Sequence, residues 1–296
     1  MKGATAFRKS GSLFLMICFV GFLPEASAIA QSQSCPQFSP DGVMPVLDNP
    51  KLTPRTTLLC NDGFASLNSG VVHQPLWSAE YLTASAVSSA SSIGRTTNRF
   101  HADGRLPAGD GAVLSDYRRS GFDRGHMVPS GDAATIQAQE QTFTLANVVP
   151  QTAALNEGIW TGVEMAVRHL AQRDGAVYVV TGPAFHDSTR GIGHDVLVPS
   201  STWKAVYDPT SAGAGVYVCK NNDTPTCTIV SVAALIHAVG IDPFPSLPAD
   251  MKARAMDLPE PESSPYRARQ SQSYQNRLER QGIRLGLHAL KQIMED

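Results

Sequence analysis

From Thr56 to about Val239 the chain alternates short β-type runs with turns, and only one stretch is patterned as a long helix. The runs include Ala176–Val180, Trp203–Tyr207, Gly215–Val218 and Thr228–Val232. They are rich in β-branched and aromatic residues, with turn-forming residues between them. The helix-compatible stretch extends from Asn156 to about Arg173, and Gly175 is a natural stop. Within it Trp160, Val163, Val167 and Leu170 recur at helical spacing and should face a core. Many strands and few helices predict an α+β fold on a mixed or antiparallel sheet. At 42% hydrophobic residues the chain is too apolar to be disordered.

The two ends read differently from this middle. Lys2, Arg8 and Lys9 precede an apolar run from Leu13 to Leu23, then Pro24 and Ala26-Ser27-Ala28. That order describes a secretory signal peptide over residues 1–28, with Ala28 or Ala30 as the cleavage point. The run is too short for a membrane helix, and no later stretch reaches the ~18 uncharged apolar residues such a helix needs. The expectation is a secreted or periplasmic protein with no membrane span after processing. Residues 29–55, rich in Pro, Ser and Asp, read as an extended lead-in, and residues 56–250 as the main domain. Residues 251–296 read as a Pro-rich linker and a basic amphipathic tail. In the tail Ile283, Leu287, Leu290 and Met294 share one helical face among six Arg and Lys residues. Such a tail could touch nucleic acid, a membrane surface or a partner, but a helix packed on the domain with a solvated charged face is the default.

Cysteine usage agrees with export. Cys18 lies inside the leader, which leaves the even set Cys35, Cys60, Cys219 and Cys227. Three pairings are open in principle. Cys35–Cys60 and Cys219–Cys227 are the expected ones, because each pair is close in sequence. Zinc is disfavoured, since no pair has the two-residue spacing of a zinc site. Lys and Arg number 24 against 26 Asp and Glu, a net charge of −2 that becomes −4 without residues 1–28. A globally basic nucleic-acid-coating protein is excluded, whereas a local basic groove is not.

Two clusters carry chemistry. The first is Gly121-Phe122-Asp123-Arg124-Gly125-His126-Met127. Histidine can take a proton near neutral pH, and the arginine fork matches phosphate oxygens. The second runs from Leu145-Ala146-Asn147-Val148-Val149-Pro150-Gln151 to Asn156, Trp160 and Glu164, the last three spaced i, i+4, i+8 along a helix. An amide oxygen such as that of Asn156 is a poor zinc ligand but suits Mg²⁺, which keeps several waters and needs few protein ligands. Glu164 could then hold metal-bound water. Read singly, Asn156 would be a helix cap and Glu164 a surface carboxylate. His186-Asp187 and His194-Asp195 match no metal framework and read as loop residues. His237 reads as a core or strand-end histidine.

Taken together, the clusters resemble the DNA/RNA non-specific endonuclease family, the endonuclease G-like ββα-metal nucleases. The family's Asp-Arg-Gly-His motif corresponds to Asp123–His126, and its Asn-x-x-Pro-Gln pattern to Asn147, Pro150 and Gln151. Its Asn, Trp and Glu helix positions correspond to Asn156, Trp160 and Glu164. An upstream Arg before an aromatic and an Asp is matched by Arg95, with Arg99 as the second choice, ahead of Phe100 and Asp103. The resemblance covers about Leu59 to Val239.

It implies a catalytic hairpin followed by a helix: a strand with His126, a strand ending near Asn147 and a helix beginning near Asn156. It implies His126 as general base, Asn156 as the direct ligand of Mg²⁺ (or Mn²⁺) and Glu164 as orienter of the metal's waters. Arg95 and Arg124 would bind phosphate, Asn147 and Gln151 would hold His126 and the metal waters, and Asp123 would support the loop. The activity implied is sugar-non-specific cleavage of DNA and RNA to 5′-phosphate products. The partners are those two substrates, and a homodimer is left open. The alternative is a non-catalytic nucleic-acid-binding or interaction protein on the same fold.

Overall fold

A computed structural model describes residues 34–96, 99–187 and 190–261, besides Met1 and Gly3. The segment expected to be a signal peptide, Cys18 within it, and the part of the expected tail after residue 261 lie outside the described residues. In chain order the strands are β1 (Val46–Leu47), β2 (Thr56–Cys60), β3 (Ala65–Ser69), β4 (Gln74–Thr83), β5 (Asp123–His126), β6 (Val148–Gln151), β7 (Ala176–Ala184), β8 (Gly191–Ile192), β9 (Val196–Leu197), β10 (Ser201–Asp208), β11 (Gly213–Lys220), β12 (Cys227–Val230) and β13 (Ile241–Asp242). The helices are α1 (Ala84–Ile93), α2 (Leu114–Tyr117), α3 (Ile136–Thr142), α4 (Trp160–Asp174), α5 (Val232–Val239) and α6 (Ala249–Lys252).

The frame is a seven-stranded antiparallel sheet in the order β12-β11-β10-β7-β4-β3-β2. Successive side chains on a strand point to opposite faces, and both faces are buried here. Val177 and Val179 of β7 pack with Trp160, Val163, Val167 and Leu170 of α4, while Val180 packs on the other face with Val232 and Leu235 of α5. This explains why the β7 run is apolar without alternation. The four α4 residues face the core as their spacing predicts, and Gly175 ends the helix at φ 92°.

The main sheet and small number of helices make the fold α+β. Other expectations need correction. α4 begins at Trp160, and a wider turn of i→i+5 type, Leu155–Ile159, occupies the positions read as its first turn. The second strand of the hairpin begins after Asn147, which itself lies in the single 3-10 turn Leu145–Asn147. The lead-in is not merely extended: Cys35 and Phe38 are buried in the core, and β1 pairs with β13. The domain also continues past residue 250. Met256 N–H donates to the Ala214 carbonyl at 2.7 Å, and Leu258 is buried against α4 and the sheet. His237 is exposed in the last turn of α5. Cys35–Cys60 and Cys219–Cys227 are both bonded, the second across the paired strands β11 and β12.

Candidate active site

The antiparallel hairpin β5–β6 pairs Gly125 with Val149 and His126 with Val148. Gly125 is required by packing: a Cβ there would lie 2.0 Å from Gln151 Oε1. The hairpin is bound to the main sheet from below. The Lys204 ammonium of β10, fully buried, donates to the Met127 carbonyl at 3.2 Å and to Thr181 Oγ1 at 2.6 Å. Asn68 of β3 donates to the Ala146 carbonyl at 3.0 Å, which fixes the turn before β6.

Past the hairpin, Thr152 starts the wide turn, accepting from the Leu155 and Asn156 backbone N–H groups at 3.1 and 2.9 Å. Asn221, on the loop closed by Cys219–Cys227, accepts from Thr152 N–H at 2.8 Å and donates to the Pro150 carbonyl at 2.9 Å. Together these bonds set where Asn156 emerges. Its Nδ2 donates to Asp123 Oδ2 at 3.1 Å. With the amide nitrogen engaged there, Oδ1 is left as the free acceptor.

A cavity of about 520 Å³ opens between α1, the hairpin and α4, with walls that include Arg95, Arg124, His126, Asn156, Glu164 and Arg168. Three guanidinium groups line it together with the carboxyl groups of Asp123, Glu157 and Glu164. Arg95 is placed by Gln139 of α3, which donates to the Gly94 carbonyl at 2.7 Å and accepts from Thr96 N–H at 2.8 Å. Arg99 is exposed and is not among the walls.

Asn147 and Gln151 are not at the cavity either. The Asn147 amide accepts from Val128 N–H at 3.1 Å and donates to the Val128 and Thr142 carbonyls at 2.9 and 3.0 Å. It therefore braces the chain just beyond His126 rather than meeting a ligand. Gln151 packs beneath Gly125, with its Nε2 3.4 Å from Thr202 Oγ1. Trp160 turns into the core while Asn156 and Glu164 line the cavity, because the wide turn breaks the helical phase between them.

The titrating groups are strongly displaced. Burial, with the Arg95 and Arg124 charges adding, pushes His126 down to about 3, so its imidazole is neutral at physiological pH. Burial pushes Glu164 up to about 7, against the opposing charges of Arg168, Lys204 and Arg95. Arg168, 3.7 Å from Glu164, is itself clamped by the buried Asp132 carboxylate. Beneath them Glu80 and Lys204 are buried close enough to interact. Burial raises the Glu80 carboxyl well above its usual range and lowers the Lys204 ammonium. Sequence reasoning missed Arg168, although it lies one helical turn beyond Glu164. Gln139, Glu80 and Lys204 are far away in sequence and carry no local signal.

Among the described residues no three His, Cys, Asp or Glu side chains converge as a metal cage. The residues present do fit a hard cation that keeps most of its water. Asn156 offers a free amide oxygen, and Glu164 lies on the same wall to accept from coordinated water.

The model of a family described as DNA/RNA non-specific endonuclease matches residues 46–250. Nuclease C1 of Cunninghamella echinulata var. echinulata is 34% identical over 167 residues, 51% of this chain and 66% of that protein. The mitochondrial nuclease EXOG of Danio rerio is 34% identical over 164 residues, 50% of this chain and 47% of that protein. The chain thus spans between about half and two thirds of those two relatives. A protein named Nuclease from a Nostoc species is 31% identical over 267 residues, 86% of this chain and 89% of its own length. Among solved structures, the crystal structure of the EndoG/EndoGI complex aligns with a TM-score of 0.57 at 25% identity, over 62% of this chain and 84% of that one.

Proposed function

The chain belongs to the DNA/RNA non-specific endonuclease family, and from that premise we propose that it is an exported endonuclease that hydrolyses phosphodiester bonds of DNA and RNA alike. The observation that carries this reading is the convergence of a neutral, buried histidine with three arginines and a free amide oxygen in one cavity. The neutral imidazole of His126, on the cavity wall, takes the proton of the attacking water. Arg95 and Arg124 hold the phosphate, and Arg168 keeps Glu164 turned to the cavity. Asp123 orients the Asn156 amide so that its Oδ1 is offered to a divalent cation, Mg²⁺ or Mn²⁺, with Glu164 holding the cation's waters. When bound, such a cation supplies Lewis-acid stabilisation of the charge that develops on the phosphate and on the departing oxygen.

Departure of the 3′-oxygen leaves 5′-phosphate products. Contacts to backbone rather than bases account for low sequence and sugar specificity. Two disulfides suit an oxidising compartment and support export by the leader. The test is degradation of plasmid DNA and of RNA by the oxidised protein, with Mg²⁺ or with EDTA, beside His126→Ala. The expected outcome is metal-dependent loss of both substrates and a drop of about 10²-fold or more in the folded variant. Retained cleavage by His126→Ala overturns the mechanism, and no cleavage by folded wild type returns the chain to the binding-protein alternative.

A further inference from the structure

Histidine bases are commonly oriented by a third group hydrogen-bonded to the ring. Nothing among the described residues does this through Nε2 of His126. The ring instead packs against two phenylalanines. Phe100 lies at 5.2 Å, tilted by 42°, and Phe143 at 5.1 Å, edge-on at 87°. Each phenylalanine also carries an arginine. Arg124 Cζ stands 4.4 Å from the Phe100 centroid, and Arg95 Cζ stands 5.0 Å from that of Phe143. Phe100 and Phe143 also meet each other edge-on at 5.1 Å, so the three rings touch mutually, with an arginine over each phenylalanine.

We infer that Phe100 and Phe143 are positioning residues: they orient the His126 ring and shelve the two arginines, so that phosphate docking and base alignment depend on one aromatic stack of three mutually touching rings. The inference rests on the nuclease reading of this cavity. It explains why rings stand at both places. A leucine fills similar volume but offers no π-face to a guanidinium and no aromatic edge or face to an imidazole. It also explains how two exposed arginines, one on β5 and one in the loop after α1, stay at the rim with no ion pair to a carboxylate within 4 Å among the described residues. An acidic partner would compete with the phosphate, whereas a ring face does not.

Phe100 is the residue to test, because it is half-buried whereas Phe143 is fully buried. The variants are Phe100→Leu, Phe100→Met and Phe100→Tyr, with steady-state cleavage of a short duplex at saturating Mg²⁺ and thermal melts of each. A merely structural role predicts lower melting temperature with unchanged kcat and KM in the folded protein. The stack predicts, for Leu and Met, a kcat lower by about tenfold and a KM higher by about two- to fivefold, the latter being the loss of one exposed cation–π contact. The Tyr variant, which keeps the ring, is expected within about twofold of wild type. On an Arg124→Ala background, Phe100→Leu should add nothing to KM while still lowering kcat.

Wild-type kcat and KM in Phe100→Leu overturn the inference, as does a Tyr variant as impaired as Leu. Failure of both apolar variants to fold also overturns it, by making the ring a requirement of folding. The outcomes are separable from the nuclease reading: if His126→Ala retains cleavage, that reading fails. If His126→Ala is inactive and Phe100→Leu is normal, only the stack fails.

Discussion

At the residue scale, the cavity is an arrangement of groups held away from their preferred ionisation. Glu164 is the clearest case. Its carboxyl, pushed up to about 7 by burial, binds a proton more tightly in the folded chain than in the unfolded one. Its contribution to stability is therefore greatest below pH 4.5 and falls as pH rises through 7. The cost of the buried carboxylate is on the order of a few kcal/mol above that range. His126 has the opposite sign: its pKa is depressed, so its contribution is present above pH 6.5 and is lost as pH falls toward 3. Glu164→Gln should then melt above wild type at pH 8 in EDTA, with the gap closing by pH 5, while cleavage is lost. A variant less stable than wild type at pH 8 would show that Glu164 is not strained. The arrangement fits a site whose charges serve chemistry rather than folding. Asp123, Arg124, His126, Asn156 and Glu164 were singled out through the resemblance of two local motifs to the nuclease family, since read singly they carry little signal. Arg168 could have been read from its i+4 relation to Glu164. Asn147 and Gln151 were singled out, but only packing shows that their amides face the scaffold.

At the element scale, the hairpin, the wide turn and α4 form one unit, but the unit is braced by a loop about seventy residues later. The Cys219–Cys227 bond closes that loop, Asn221 ties it to Pro150 and Thr152, and Thr152 launches Asn156. Removing the bond with Cys219→Ser and Cys227→Ser together should loosen Asn156 without touching His126. The expected result is a several-fold higher Mg²⁺ concentration for half-maximal cleavage, with most activity recovered at saturation. An unchanged Mg²⁺ dependence would mean that the Asn221 bonds hold the turn by themselves. The helical pattern of Trp160, Val163, Val167 and Leu170 was legible, since apolar periodicity dictates burial. The turn before it was not, because propensity allows Asn156–Ile159 to continue the helix. The brace from Asn221, which holds the backbone at Thr152 just before that turn, is a long-range contact.

At the scale of the whole molecule, a chain of net charge −2 concentrates Arg95, Arg124 and Arg168 on one cavity. Arg95 and Arg124 meeting a phosphate backbone should make binding fall with salt with a log–log slope of about 2, and Arg124→Ala should lower that slope by about 1. Measuring KM from 50 to 300 mM NaCl checks it, and an unchanged slope would place Arg124 off the substrate path. No helix among the described residues is long and apolar enough to cross a membrane. What the sequence by itself determined was the fold class, the two sequence-local cysteine pairs and the core face of α4. Each of these follows from periodicity or from spacing within a short segment. Only the tertiary structure decided between Arg95 and Arg99 at the cavity, turned Asn147 and Gln151 inward, added Arg168, and packed His126 against two phenylalanines. Those outcomes depend on contacts between segments far apart in the chain, such as Gln139 with Gly94 and Lys204 with Met127. Local propensity carries no information about which distant groups a folded chain brings within hydrogen-bonding distance.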